Sequence, residues 1–228
     1  MMIRTLLSAG GSALLLAASY AFLAMPTGRS GEAVYLPGAA MAQETAEAAE
    51  VDTSTIQEMV LGAEDAPITM IEYASYTCPH CAAFHAGPFK EIKKNYIDTG
   101  KVRFIYREVY FDRYGLWASM IARCAGSDRF FGVNDLLYST QDEWVRAGEP
   151  QAIVGELKKI GRMAGLDDAA LESCLQDGDK ARTLVAWFQE NAAADDVTGT
   201  PSFVVDGEKV SNQPYADFSA LFDEKLGE

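Results

Sequence analysis

The segment ITMIEYASYTCPHC, residues 68–81, decides the fold of this chain of 228 residues. Its first part, Ile68–Tyr73, is a mostly apolar run that predicts a buried central strand. The residues from Pro79 to about Thr99 predict a helix. Cys78 and Cys81 therefore lie where a strand passes through a turn into a helix, with two residues between them.

The position of this cysteine pair predicts redox chemistry. A cysteine at a helix N-terminus meets unpaired backbone N–H groups and the positive end of the helix dipole. Both favour the thiolate, which is the species that attacks disulfides. Cys81 lies one helical turn beyond Cys78, so the two sulfurs can close a small, reversible disulfide.

Three other uses of the pair fit the sequence less well. A zinc site needs two further ligands, but Cys124 and Cys174 are far apart in sequence, and His85 is the only nearby histidine outside the pair. Covalent haem attachment requires histidine directly after the second cysteine, where this chain has Ala82. A purely structural disulfide between Cys78 and Cys81 would add little stability, because so short a loop restricts the unfolded chain only slightly.

Composition limits the class of partner. The length suits one substantial domain, or one domain with an insertion, and a hydrophobic content of 49% supports a real core. The formal net charge of −14 argues against binding to nucleic acid and against docking on anionic lipid.

Residues 1–42 are predicted to direct export. Met1–Arg4 is a short positive region, and Thr5–Met25 carries no charge and is rich in Leu and Ala. Ala40–Ala42 has the small-x-small pattern of a signal-peptidase site, and we favour cleavage there. Because Thr5–Met25 is long enough to span a bilayer, an uncleaved membrane anchor is the alternative. A cleaved signal and an uncleaved anchor both place the rest of the chain outside the cytoplasm, where disulfides persist. Residues 43–54 are predicted to be a linker.

Beyond the linker, strands are predicted on both sides of a long helical block. The helix from Pro79 is expected to kink at Gly87–Pro88. It joins two strands in a parallel crossover. Residues 112–194 are helix-forming almost throughout. The remaining predicted elements are strands at Met59–Leu61, Val102–Glu108, Ser202–Val205 and Glu208–Val210, and a terminal helix at Tyr215–Leu226.

With these elements in place, the chain resembles the DsbA-type thiol–disulfide oxidoreductases of the thioredoxin superfamily. The resemblance rests on Cys78-Pro79-His80-Cys81 and on Thr200-Pro201 followed by the strand and turn of residues 202–207. It implies an α/β fold with a thioredoxin-like core, a central mixed sheet with flanking helices. Residues 55–111 and 195–228 would form this core, and residues 112–194 an inserted all-helical domain.

The resemblance also assigns roles around the cysteine pair. Cys78 is the expected nucleophile and the exposed sulfur, with Cys81 one turn deeper. The His80 ring is expected to favour the Cys78 thiolate, and the alternative is an exposed bystander. His85, on the helix that follows, is taken as structural or solvent-facing. Glu72 corresponds to a buried acid of the family that would pass a proton to or from Cys81, and the alternative is a strand-end side chain facing water.

The second chemical element is Thr200-Pro201, which together with Pro79 is assigned to substrate binding. A cis Thr200–Pro201 bond would turn the Thr200 backbone outward, where an extended substrate can pair with it beside Cys78. In the family the residue before this proline is often Val in DsbA and Thr in the related isomerases. Thr200 therefore keeps both oxidation and isomerisation open.

Cys124 and Cys174 are expected to form a second, structural disulfide, because four cysteines in an oxidising compartment suggest two pairs. The alternative is two separate buried thiols in the helical block.

The predicted function is that of an exported, periplasmic enzyme that introduces disulfide bonds into reduced or unfolded exported proteins through Cys78 and Cys81. The resemblance implies reoxidation by a membrane quinone reductase of DsbB type, without an organic cofactor or metal, and a monomer is favoured. The alternatives are a disulfide isomerase or reductase, and a metal-binding or chaperone module that uses the same cysteines, for instance in copper delivery.

Overall fold

The computed structural model describes residues 51–227. The predicted export segment at 1–42 and most of the predicted linker lie outside the described residues. Within residues 51–227, none of the helices combines the length and the apolar character needed to cross a bilayer.

A mixed five-stranded sheet forms the centre of the fold. Its order is β1-β3-β2-β4-β5, with β2 parallel to β3 and every other neighbouring pair antiparallel. The central strand β2 has five of its seven residues at 0–1% exposure, namely Ile68, Met70, Glu72, Tyr73 and Ala74. The strands are β1 Met59–Leu61, β2 Ile68–Ala74, β3 Val102–Glu108, β4 Ser202–Val205 and β5 Glu208–Val210.

The crossover from β2 to β3 is helical, but it is broken rather than kinked. It consists of α1 Pro79–Ala86, α2 Pro88–Ile92 and a π-helical turn at Lys93–Ile97. Gly87, at φ −125° and ψ −91°, separates the first two, because Pro88 has no N–H to continue the hydrogen-bond ladder of α1. The prediction of one helix from Pro79 to about Thr99, kinked at Gly87–Pro88, is therefore wrong in this detail.

Six helices occupy the block between β3 and β4. They are α3 Arg113–Cys124, α4 Ser127–Ser139, α5 Gln141–Val145, α6 Pro150–Met163, α7 Asp168–Gln176 and α8 Gly178–Ala194, and α9 Tyr215–Leu226 follows the sheet. The mixed sheet with flanking helices and a helical insertion is the architecture predicted above. The assignment of residues 112–194 as a separate domain stays a prediction.

Helices and sheet share one continuous apolar core. Phe104 and Tyr106 of β3 belong to the same buried cluster as Phe130 of α4 and Phe218 of α9. The Tyr106 and Phe130 rings lie 5.9 Å apart, within the range of favourable aromatic contact. The helical insertion is therefore packed directly against the strand next to the one that leads to the cysteines.

Two further links fasten α3. The guanidinium of Arg123 donates to both carboxylate oxygens of the buried Glu108, each at 2.6 Å, which ties α3 to the end of β3. Cys124 and Cys174 form a disulfide that joins α3 to α7, with their Cα atoms 6.2 Å apart. This is the pairing that the sequence analysis favoured over two separate thiols.

Candidate active site

Cys78 is the N-cap residue of α1, with Pro79 as the first residue of the helix. Its backbone N–H donates to the Ser75 carbonyl at 3.1 Å, which closes the turn after β2, and its own carbonyl accepts from Ala82 N–H. Cys78 and Cys81 are thiols, not joined to each other. Cys78 is the more accessible of the two at 8% exposure, whereas Cys81 is fully buried.

The two thiols have opposite acidities. The pKa of Cys78 is lowered to about 5, chiefly because the Cys81 thiol donates a hydrogen bond to it. Burial opposes this effect, while hydrogen bonding with Thr200 and with the backbone N–H groups of Cys81 and His80 adds to it. Burial raises the pKa of Cys81 far above its ordinary value, and the neighbouring Cys78 and the Glu72 charge raise it further. One sulfur is thus a stable thiolate and the other a stable thiol.

The side chains of Pro79 and His80 are exposed at the start of α1. The contribution of His80 to the Cys78 thiolate in this geometry comes from its backbone N–H. A role of the His80 ring stays a prediction.

Thr200 lies directly opposite Cys78. The Thr200–Pro201 bond is cis, and Sγ of Cys78 lies 3.5 Å from the Thr200 carbonyl oxygen, although 122 residues separate the two in sequence. A groove of about 530 Å³ adjoins both residues, and exposed Phe111 (61%) forms part of it. The remaining lining residues are Thr77, Pro79, Asp112, Tyr114 and Val145. The groove is large enough to receive part of an extended peptide next to Cys78.

Glu72 and His85 form a buried pair beneath the site. Glu72 is fully buried on β2, so the alternative that it faces water is wrong. His85 is 3% exposed on α1, so the solvent-facing alternative for this residue is also wrong. The His85 Nε2 atom lies 2.9 Å from Oε2 of Glu72. His85 follows Cys81 by four residues, and this helical spacing is the signal that could have placed it under the resolving thiol.

Gln141, the first residue of α5, contacts the cysteine loop although no sequence pattern indicated it. Its side-chain N–H₂ donates to the carbonyl oxygens of Tyr76 at 2.8 Å and Cys78 at 3.0 Å. Gln141 is buried, so these bonds are shielded from water. No local pattern marks a glutamine 63 residues away as a partner of the cysteine loop.

Asp112 also connects the insertion to this loop. One carboxylate oxygen accepts from the N–H groups of Tyr114 and Gly115 and so caps α3. The other accepts from the Thr77 hydroxyl at 2.7 Å. Asp112, at the start of the helical insertion, and Gln141, in its third helix, therefore both hold the loop that leads to Cys78.

A resident metal has no obvious place in this geometry. Among residues 51–227, no three or more His, Cys, Asp or Glu side chains are grouped so that they could hold a metal ion.

Comparisons with known proteins agree with this arrangement. A thioredoxin family model matches residues 54–224. A Rickettsia bellii relative named "Putative protein-disulfide oxidoreductase" is 36% identical over 172 residues, which cover 75% of this chain and 65% of the relative. The chain thus matches slightly less than two thirds of that relative's length.

Two solved structures are similar over nearly their full length. Wolbachia pipientis alpha-DsbA1 is 28% identical with a TM-score of 0.69, covering 75% of this chain and 92% of that one. A protein-disulfide isomerase from Novosphingobium aromaticivorans is 26% identical with a TM-score of 0.66, covering 75% and 98%. With its cysteine pair at the start of α1 and its cis-proline loop opposite, the chain belongs to the thioredoxin family, among the DsbA-type thiol–disulfide oxidoreductases.

Proposed function

We propose that this protein is an exported oxidase that introduces disulfide bonds into secreted or periplasmic proteins through Cys78 and Cys81. The observation that carries the proposal is the opposite acidity of the two thiols, with the pKa of Cys78 lowered to about 5 and that of Cys81 raised. A stable Cys78 thiolate is a good leaving group and stabilises the reduced protein, so the oxidised protein readily passes its disulfide on.

The reaction proceeds by two exchanges. A substrate thiolate attacks Cys78 Sγ of the Cys78–Cys81 disulfide, and Cys81 leaves and takes up a proton. A second substrate thiolate then attacks the substrate sulfur of the mixed disulfide and releases Cys78 as thiolate. Two electrons pass from the substrate to the enzyme, and the substrate gains one disulfide.

Substrate is expected to lie between the cis-proline loop and the groove at Phe111. The Thr200 backbone next to Pro201 offers hydrogen-bonding groups to an extended segment, and Pro79 borders the same groove. Such main-chain recognition suits an enzyme whose substrates are reduced or unfolded proteins of many sequences.

The proposal also covers where the protein acts and how its cysteine pair is reoxidised. The apolar run Thr5–Met25 and the Ala40–Ala42 pattern support a periplasmic location, with a cleaved signal favoured and a membrane tether as the alternative. Membership of the DsbA-type family supports reoxidation by a quinone reductase of DsbB type in the membrane. We propose a monomer that acts on protein substrates and not on nucleic acid.

Isomerisation is the second candidate. Thr200, which precedes the cis proline, and the similarity to the Novosphingobium aromaticivorans protein-disulfide isomerase support it. A metal-binding or chaperone role for the two cysteines is the third, and it predicts tight, stoichiometric binding of copper or zinc.

The reduction potential of the pair, measured in glutathione buffers, tests the proposal. An oxidase should lie near the value of about −120 mV known for DsbA, whereas a value near −270 mV, that of thioredoxin, would contradict it. Refolding of a reduced multi-disulfide protein should be fast with oxidised wild type and absent with Cys78→Ser. Rapid rearrangement of non-native disulfides in a scrambled substrate would favour the isomerase. Stoichiometric binding of copper would favour the metal-binding module.

A further inference from the structure

Tyr73 lies on β2, the strand that leads to Cys78, but its side chain is on the opposite face of the sheet. Successive side chains of a strand alternate between the two faces. Glu72 meets His85 of α1 on one face, and Tyr73 therefore points to the other. It is fully buried there in an apolar cluster with Val109 and Val204, separate from the cluster that contains Cys78.

The Tyr73 hydroxyl contacts the C-terminal end of α8. It donates a hydrogen bond to Oδ2 of Asp195, the residue that caps this helix, and lies 3.1 Å from the Asn191 carbonyl oxygen. Burial, together with the hydrogen bond to Asp195, holds the pKa of Tyr73 well above its ordinary value. The hydroxyl therefore keeps its proton and remains a donor.

Arg107 completes a closed set of contacts. It is the residue of β3 that pairs with Tyr73 in the sheet. Its Nη1 donates to the Tyr73 hydroxyl at 2.6 Å and to Oδ2 of Asp195 at 3.3 Å. Its Nε and Nη2 donate to Oε1 of Glu58, at 3.1 Å and 2.7 Å, so the guanidinium is held on its other side as well. Tyr73, Arg107 and Asp195 each contact the other two, and we call these three residues the anchor cluster.

Asp195 is also the start of the segment that ends opposite Cys78. Residues 196–201 follow it and contain Thr200 and Pro201. The next residue, Ser202, is the first of β4 and pairs with Tyr73 in the sheet. Tyr73 thus holds the 196–201 loop at both ends, with its side chain at Asp195 and with its backbone at Ser202.

The position of this loop matters to the reactive sulfur. The Thr200 carbonyl oxygen lies 3.5 Å from Sγ of Cys78. The pKa of Cys78 is lowered chiefly by the Cys81 thiol, and hydrogen bonding with the Thr200 side chain adds to this effect. Because hydrogen bonds weaken steeply with distance and angle, a small displacement of the loop removes the contribution of Thr200.

We propose that the anchor cluster, on the face of the sheet away from the sulfurs, sets the distance between the 196–201 loop and Cys78. The inference rests on the proposed thiol–disulfide exchange and deepens it. If the cluster is broken, Thr200 withdraws and the Cys78 thiolate loses part of its stabilisation. The reduced protein then becomes less stable relative to the disulfide form, and the protein becomes a weaker oxidant. Tyr73 is a positioning residue that acts through the loop.

Tyr73→Phe tests the proposal, because it removes the hydroxyl and keeps the ring in its apolar cluster. The pKa of Cys78, measured from the pH dependence of alkylation by iodoacetamide, should rise above the wild-type value. In glutathione buffers the equilibrium should shift about threefold or more towards the disulfide form, a change that the loss of one hydrogen bond can produce. A wild-type pKa and a wild-type equilibrium in folded Tyr73→Phe overturn the proposal.

Tyr96→Phe is the matched control for the loss of a bonded tyrosine hydroxyl. Tyr96 is 5% exposed, and its hydroxyl lies 2.7 Å from Ser219 Oγ and 2.7 Å from Oδ1 of Asp223, both on α9. Urea unfolding should show a loss of stability in both variants, whereas only Tyr73→Phe should change the redox equilibrium. An equal redox shift in Tyr96→Phe overturns the proposal, because the shift would then follow from lost stability alone.

Two variants of Asp195 separate the hydrogen bond from the charge. Asp195→Asn keeps an oxygen that can accept from the Tyr73 hydroxyl, and Asp195→Ala does not. Asp195→Ala should shift the glutathione equilibrium as Tyr73→Phe does, whereas Asp195→Asn should stay within about twofold of wild type. The double variant Tyr73→Phe with Asp195→Ala should shift no further than either single change, because both remove the same contact.

Equal shifts in Asp195→Asn and Asp195→Ala, or shifts that add in the double variant, overturn the anchor cluster. The oxidase function is tested by a different quantity, the absolute reduction potential of the wild-type protein. A wild-type value near that of thioredoxin would contradict the oxidase and leave the comparisons between variants and wild type intact.

Discussion

The side-chain amide of Gln141 donates a hydrogen bond to the backbone carbonyl of Cys78 at 3.0 Å, and a second to the Tyr76 carbonyl at 2.8 Å. A residue of the helical insertion thereby holds the loop that presents the reactive cysteine. The insertion is part of the active site's support, and the conformation of that loop depends on helix α5.

Replacement of Gln141 by Leu should lower the free energy of unfolding by about 2 kcal/mol, because two buried carbonyls lose their donor. Urea unfolding of the oxidised protein measures the loss. Gln176→Leu is the matched control, since Gln176 is exposed and its amide donates to the exposed Glu172, and it should change stability by less than about 0.5 kcal/mol. Equal losses of unfolding free energy in the two variants would contradict a stabilising role of the Gln141 hydrogen bonds.

The stability of the reduced protein should depend on pH through Cys78. Its pKa is lowered to about 5 in the folded state, against about 8.5 in the unfolded chain, so the unfolded state binds the extra proton between these values. The stabilisation is therefore fully present above about pH 8.5 and is lost as the pH falls through 5.

The difference in unfolding free energy between reduced and oxidised protein, measured in urea from pH 4 to 8, should accordingly rise with pH. Oxidised protein has no proton to lose at Cys78, so its titration supplies the baseline. Reduced Cys78→Ser should follow the oxidised curve. A flat difference between reduced and oxidised wild type would show that Cys78 is not a stabilised thiolate.

The Cys124–Cys174 disulfide should stabilise the fold without taking part in exchange. It closes a loop with a sequence separation of 50, for which the chain-entropy model gives about 4 kcal/mol. The double variant Cys124→Ala with Cys174→Ala should lose that amount in urea unfolding of the oxidised protein. A loss below about 1 kcal/mol would mean that the reduced insertion keeps its structure in the unfolded ensemble.

Two glycines of α6 make a matched pair for packing. A Cβ on Gly161 would lie 2.3 Å from Leu171 Cδ2, and Leu171 is fully buried, so Gly161→Ala should cost about 1–3 kcal/mol. A Cβ on Gly155 would have no neighbouring atom within 4 Å. Gly155→Ala should therefore raise the free energy of unfolding by about 1 kcal/mol, because alanine has the higher helix propensity. Thermal unfolding of both variants measures the contrast, and a stabilised Gly161→Ala would refute close packing of α6 on α7.

Local patterns sufficed for much of the fold. The run before Cys78 predicted β2, and the short strands Ser202–Val205 and Glu208–Val210 were predicted with the bounds that the structure has. The one error was at Gly87–Pro88, where two helices replace one kinked helix. It concerns only how far a proline interrupts the backbone hydrogen bonds of a helix. These features depend on neighbouring residues, which the sequence displays directly.

Sequence by itself determined the strand-to-helix turn that carries Cys78 and Cys81, the Thr200-Pro201 loop and the order of the elements. Only the tertiary structure decided which groups surround the two sulfurs. It placed His85 against Glu72, Gln141 over the Cys78 carbonyl and Thr200 opposite the thiol, across sequence separations of 13, 63 and 122 residues. The reason is physical, because burial and hydrogen bonding at the site depend on which side chains the packed sheet and helices bring together, and no local pattern specifies those contacts.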